Sequence, residues 1–542
     1  MPSTHSADEG EEIFEGVSIL FIFLGLLVGA MTTHGLSRLG NPFPYTVCVF
    51  FEGILMALML RNKTRFYTWT DSTNVFLDIN GELILYIFLP PLLFGEAMYL
   101  NWYEVKGAFY QALVLAGPGV LLGAYIMGGI MYGLFPSWSW NLCMLFGSIT
   151  AATDPVAVVS LLNELGAAPK LTMLVVGESL LNDGTGVVLF QLFFRLLEGE
   201  KFDAGEIILF FMGTIVVSIL TGAIVGGLGI FAMKFGNREL KHEDTTFQIV
   251  ITFCTAYLSF FFAQYNFNAS GVLSCCMAGV IFSAMAGPII LEHRTMHDVW
   301  GFVEWTGNTL IFLISGLVLG YRLVGVSATH FGELIAIYLL IMTVRFAVIF
   351  FLFPILVHVG NFRMTWKEAL FMSFGGLRGA LAVSLGLVVE SEHYKLKVDS
   401  DTADDFIFYV GGVAALTLLI NATLAKHVMI GLGLVGKVSK NDARLLGQIK
   451  KKLRVDLAHY LETKVKTKEE ARAVMKLVTA FKKPMTRVSL RAEDALTLSS
   501  TMEGTLASVG ENVRNLMRRS SQTDNSKVLR KQKLAWTRAV FL

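Results

Sequence analysis

The stretch Gly177-Glu178-Ser179-Leu180-Leu181-Asn182-Asp183-Gly184 decides how this chain is read. It lies inside a run, 170–196, that otherwise has the length and apolar content of a membrane-spanning helix. A carboxylate at the centre of a bilayer costs about 2.5–3.5 kcal/mol on insertion scales, and such groups mark ion or proton pathways. Here a second acid, an amide and a hydroxyl accompany Asp183. Residues four apart share a helix face. Ser179 with Asp183, and Glu178 with Asn182, therefore form two adjacent polar stripes, while Leu180 and Leu181 face elsewhere.

The rest of the chain supports a membrane setting. Of 542 residues, 54% are hydrophobic and 16% charged, against about 25% charged in soluble proteins. The apolar residues come in blocks long enough to cross a ~30 Å hydrocarbon core. Thirteen spans are read: 14–34, 45–60, 77–98, 107–134, 141–162, 170–196, 205–234, 245–263, 268–286, 300–320, 331–357, 366–390 and 405–431. This predicts an all-α polytopic membrane protein: a short external N-terminus (1–13), a transmembrane domain (14–431) and a basic cytoplasmic tail (432–542). The N-terminus lacks the basic start of a signal peptide, so the first block reads as a retained helix. The five cysteines, Cys48, Cys143, Cys254, Cys275 and Cys276, all fall in apolar blocks, and no extracellular disulfide framework or zinc spacing appears. Lys450, Lys451, Lys452 and Arg454 follow the last span and place the C-terminus in the cytoplasm. An odd number of spans then puts Asn62-Lys63-Thr64, a glycosylation sequon, outside.

Two spans are interrupted. In the fifth, Thr153-Asp154-Pro155 breaks the helix, because proline lacks a backbone donor and disfavours α geometry at Asp154. In the twelfth, Gly375-Gly376-Leu377-Arg378-Gly379 loosens the backbone around a charge. With the seventh span as a linker, the two breaks hold corresponding places in two six-span halves. That is the pattern of a midplane site in an inverted-repeat transporter. Asp154, Asp183, Ser179, Asn182 and the Thr153 carbonyl offer hard oxygen ligands suited to a small hard cation. Arg345, inside the apolar run 341–353, needs a partner, and Glu178 is the candidate, in a structural pair. Glu96, after Leu89-Pro90-Pro91, stands either near the same site or at a helix end reaching for water.

Ala152-Thr153-Asp154-Pro155, Glu178-Ser179-Leu180-Leu181-Asn182-Asp183 and Gly375-Gly376-Leu377-Arg378-Gly379-Ala380, in this order, resemble the Na+/H+ exchanger branch of the cation:proton antiporter superfamily. Leu89-Pro90-Pro91 adds weaker support. The match extends over most of 14–431, and Gln191-Leu192-Phe193 is similar to the salt-overly-sensitive and sperm types. The tail shows no cyclic-nucleotide domain, which reads as a short or truncated member. The resemblance implies a homodimer with a moving six-helix core. It implies a cation site lined by Asp183 and Asp154 with the Thr153 backbone and Ser179, and an Asn182-Asp183 pair suited to electroneutral exchange. It also implies the Glu178–Arg345 pairing and places Arg378 near the crossed helices.

The expected function is exchange of Na+ for H+ in the plasma membrane, with Li+ and K+ left open as the ion. Asp183 takes a proton or a cation, and only the neutralised core moves. No cofactor is expected beyond the transported ions. A cation channel would need a repeated pore loop or ring of charges, and none is evident. An intramembrane aspartyl protease is disfavoured by the Thr-Asp-Pro and Asn-Asp-Gly contexts. Nothing points to nucleic acid. In the tail, Leu446 to Phe481 reads as a basic amphipathic helix, for an anionic lipid surface, a calmodulin-like partner or simple packing. Residues 499–528 are polar, and Arg518-Arg519-Ser520-Ser521 is a candidate phosphorylation site.

Overall fold

The computed structural model describes residues 5–39, 43–60, 81–100, 102–165, 167–235, 243–322, 327–359 and 364–434. The sequon at 62–64, the basic run at 450–454 and every feature read in the tail beyond 434 lie outside the described residues. The chain parts into two compact units, Met1–Val435 and Gly436–Leu542.

The first unit is helical. In chain order the helices are α1 (His5–Leu39), α2 (Tyr45–Leu60), α3 (Gly81–Met98), α4 (Trp102–Val114), α5 (Val120–Leu134), α6 (Trp140–Ala151), α7 (Val156–Glu164), α8 (Pro169–Glu198) and α9 (Ala204–Phe235). They continue as α10 (Glu243–Phe261), α11 (Gly271–Met285), α12 (His293–Arg322), α13 (Ala328–His358), α14 (Trp366–Phe374), α15 (Ala380–Ser391), α16 (His393–Leu396), α17 (Ser400–Leu416) and α18 (Thr423–Leu432). π-Helical turns at Leu115–Gly119 and Thr417–Ala422 join α4 to α5 and α17 to α18, and Phe262–Asn266 extends α10. Nine of the described helical segments are long and apolar enough to cross a membrane, and shorter apolar helices accompany them. The chain is a helical, multi-pass membrane protein. The spans read from the sequence overlap these helices; residues 77–80 of the third lie outside the described residues, and the ninth begins as helix at Gly271. The helices overrun the apolar blocks, as at α1 and α12, because the backbone ladder continues into the polar flanks.

The packing has the order that two exchanged halves require. α2 lies along α12, and α3 against α11; numbering by span, these are the pairs two–ten and three–nine, which interchange when the halves are swapped. Small residues permit the approach, as is usual between membrane helices. A Cβ on Gly53 would stand 2.3 Å from Leu313 O, and one on Gly316 would stand 2.0 Å from Phe50 O. Freed backbone groups find local partners. Pro91 has no N–H for Ile87 O one turn back, and the Tyr257 hydroxyl donates to that carbonyl instead at 2.7 Å.

The two interrupted spans form as expected. α6 starts at the Ser139 cap and stops at Ala151; Ala152–Pro155 is extended; α7 starts at Val156. α14 starts in a capping box in which Thr365 and Glu368 bond reciprocally. It stops at Phe374, and α15 resumes at Ala380. The two extended breaks cross antiparallel: Asp154 N–H donates to Leu377 O at 2.9 Å.

Candidate functional site

A crossing of two broken helices brings four helix ends together. α6 and α14 present carbonyls, the negative ends, while α7 and α15 present N–H groups, the positive ends. Each receives the opposite charge. Arg378, buried, donates from Nη1 to Ala152 O at the end of α6. Arg345 donates from Nη2 to Met372 O at 3.1 Å, and from Nε at 3.3 Å, at the end of α14. Asp154 lies on the positive ends: its Oδ1 accepts from Val156 N–H at 2.9 Å. Its Oδ2 rests against Gly379, the residue that caps α15, only 1.9 Å from where a Cβ would be.

α8 supplies the rest. The Ser179 hydroxyl donates to Thr153 O. Asn182 donates from Nδ2 to Thr153 Oγ1 at 2.7 Å, and its Oδ1 faces Thr153 N–H at 3.5 Å. Ser179 and Asn182 are 2% and 0% exposed, so these bonds lock the extended break onto α8. One residue back, Glu178 is 4% exposed and pairs with Arg345 at 3.0 Å. The stripes read from the sequence thus divide into a clamp on the break, an ion pair and one remaining carboxylate, Asp183.

Asp183, Asp154, Thr153 and Glu96 line one cavity of about 60 Å³, closed by Leu89, Leu93, Ile311 and Ala382. The sequence left Glu96 between two positions; the structure sets it on this wall, half-buried. Two further polar residues face the cavity that the sequence reading passed over, Asn308 of α12 and Ser384 of α15. Asn308 had a signal: it sits mid-span in Thr306-Gly307-Asn308-Thr309. Ser384 had none, since a lone serine is common inside membrane helices. Among the described residues, neither Asp183 nor Glu96 accepts a hydrogen bond or pairs with a cation, whereas Asp154 is held by the backbone. Among the described residues no set of three or more His, Cys, Asp or Glu forms a cage for a resident metal ion.

Crossed, interrupted helices at matching places in two halves are the arrangement from which inverted-repeat transporters build a midplane site. The sequence model of the family "Sodium/hydrogen exchanger, transmembrane" matches residues 19–431, and the chain belongs to that family. It is 33% identical over 436 residues to sodium/hydrogen exchanger 8 of Arabidopsis thaliana, covering 79% of this chain and 56% of that protein. The Na(+)/H(+) antiporter ApNhaP of Aphanothece halophytica is 29% identical over 441 residues, covering 80% of this chain and 78% of its own. The chain spans only about half the length, or less, of the two Arabidopsis exchangers it matches. In fold it is similar to the sodium proton antiporter MjNhaP1 of Methanocaldococcus jannaschii, with a TM-score of 0.57 at 17% identity over 77% of this chain and 99% of that one.

Proposed function

We propose that the chain exchanges Na+ for H+ by alternating access, without charge movement, and that Asp183 carries the coupling. The observation that supports this is the Asp183 carboxylate, without a partner among the described residues, facing a cavity whose other fixed charges at the break are compensated. A bare carboxylate is expensive in an apolar barrier. Binding either a proton or a cation removes that cost, so two forms of the site move readily and the empty charged form does not. One titrating group then gives one ion against one proton. Asp154 and the Thr153 backbone complete the cation's oxygen shell, with the Ser179 hydroxyl holding the Thr153 carbonyl in place. Asn182 holds the break, and Glu178, Arg345 and Arg378 set the surrounding field. Glu96 adds negative potential across the cavity.

The relatives' names support sodium, and no observation favours potassium by itself. A homodimer in the plasma membrane, with anionic lipid or a regulatory protein at the tail, belongs to the same proposal. So does a cytoplasmic C-terminus, supported by Lys450–Lys452 after the last span. The test is proton flux in sealed proteoliposomes under an imposed pH gradient, with Na+, Li+ or K+ added in turn and the voltage clamped. The expected result is Na+-triggered flux that Asp183→Asn abolishes and voltage leaves unchanged. Full flux in Asp183→Asn would end the proposal.

A further inference from the structure

Away from the crossed breaks, a second and larger cavity of about 490 Å³ lies where the last turn of α8, the start of α9 and the loop before α11 meet. Its volume is within the range of small-molecule sites, about 300–1,000 Å³. Twelve residues separate Arg195 on its wall from Asp183 on the same helix, about 18 Å at 1.5 Å per residue. It is therefore not part of the ion site.

The wall is amphipathic in a definite direction. At the rim stand Arg195 and Lys201. Neither makes an ion pair among the described residues; Arg195 lies 5.2 Å above the Phe210 ring. The one acid on the wall, Glu206, is engaged by the Asp203 N–H at 2.9 Å. The other acids of this loop, Glu198, Glu200 and Asp203, are exposed and lie off the wall. Below the cations the lining turns apolar: Phe202 and Phe210, 5.9 Å apart, then Leu209, Val217 and Phe267. Gly213 leaves the floor open, with nothing within 4 Å of a Cβ placed there. Leu209 is 74% exposed, on an apolar helix face with Ile208, Met212 and Val216.

The geometry points to a binding site for one anionic phospholipid, its phosphate between Arg195 and Lys201 and one acyl chain laid past Phe210 toward Gly213. Guanidinium and ammonium groups take phosphate by charge-assisted hydrogen bonds. A soluble anion would use the rim and leave the aromatic and aliphatic walls wet. The site occupies the membrane face at the end of α8 opposite Lys170, and it stands whether or not Asp183 is the coupling residue.

The experiment uses the delipidated full chain in neutral detergent. Phosphatidylglycerol, phosphatidylcholine and inorganic phosphate are titrated separately, with bound lipid counted by native mass spectrometry and thermal melting followed in parallel. Phosphatidylglycerol is expected to bind about tenfold more tightly than phosphatidylcholine, a difference of about 1.4 kcal/mol, and to raise the melting temperature. Arg195→Gln with Lys201→Gln should erase the preference for the anionic headgroup. Gly213→Leu, which fills the floor and leaves the charges, should weaken both lipids. Equal binding of the two lipids by the native chain would overturn the site, as would an unchanged preference in the double variant. A melting shift reproduced by inorganic phosphate alone would make the occupant a soluble anion and overturn the lipid reading.

Discussion

Gly379→Ala adds one methyl group, and the structure says where it goes. The new Cβ would stand 1.9 Å from Asp154 Oδ2, 2.4 Å from its Cβ and 2.5 Å from its Cγ. Those distances are far inside contact, and three atoms of one short side chain are involved, so a rotation of the carboxylate alone does not relieve them. The Asp154 backbone has little freedom, being tied to Leu377 O at 2.9 Å. Backbone strain at Gly379 itself plays no part, because its φ of −107° suits any residue. The side chain of Asp154 must therefore leave the positive ends of α7 and α15. Its bond to Val156 N–H goes with it, and a hydrogen bond to a charged group contributes about 1.5–3 kcal/mol; overpacking a tight site costs about 1–3 kcal/mol. If the displaced carboxylate is a cation ligand, a loss of that size lowers apparent Na+ affinity by about ten- to a hundredfold. Gly375→Ala is the control: its Cβ meets Phe371 O at 3.1 Å and otherwise only ordinary contacts. The assay is the half-saturating Na+ concentration for exchange in proteoliposomes, together with thermal melting. Native Na+ affinity in Gly379→Ala, in protein that melts normally, would refute the placement of Asp154 at the cation.

Two other outcomes rest on the same contacts. Arg345→Met leaves Glu178 buried without a counter-charge and Met372 O without its donor. Breaking one side of a buried pair typically costs about 3–5 kcal/mol, so melting temperature and yield should fall steeply. Adding Glu178→Gln should restore part of the loss, and a double-mutant cycle measures the coupling; additive losses would deny the pair. Asn182→Ala removes the 2.7 Å bond to Thr153 Oγ1 and the acceptor facing Thr153 N–H, at about 1–3 kcal/mol. Na+-triggered flux should slow but persist, because Asp183 remains. Complete loss in well-folded Asn182→Ala would give the amide a direct role in the ion step.

The sequence makes legible whatever carries charge or breaks a helix. Asp183, Glu178 and Arg345 announce themselves because each is costly in lipid unless it has a use or a partner. Thr153-Asp154-Pro155 and Gly375–Gly379 announce themselves through backbone chemistry. The receiving carbonyls do not. Met372 O and Ala152 O look like any others along the chain until two remote breaks are crossed, so the second duty of Arg345 and the role of Arg378 were legible only as charges near the crossing. Asn308 and Ser384 reach the cavity by the packing of α12 and α15, a matter of helix rotation that no local pattern encodes.

The placement of the charges bears on why the proposed exchange would need this architecture. Breaking a helix inside a membrane exposes two carbonyl ends and two N–H ends that an unbroken span would hide. Here the carbonyl ends are met by Arg378 and Arg345, and the N–H ends by Asp154. Arg345 is itself matched by Glu178. Those interactions close on themselves, and their groups travel together if the crossed pair moves as a body. The carboxylates left over, Asp183 and Glu96, line the same cavity, and in the proposed exchange Asp183 is the one that an incoming proton or cation neutralises. The break therefore does two things at once. It takes the Thr153 carbonyl out of the helical ladder, where the Ser179 hydroxyl holds it, and it gathers fixed dipole and counter-charge around the position where, in the proposed exchange, Asp183 changes state.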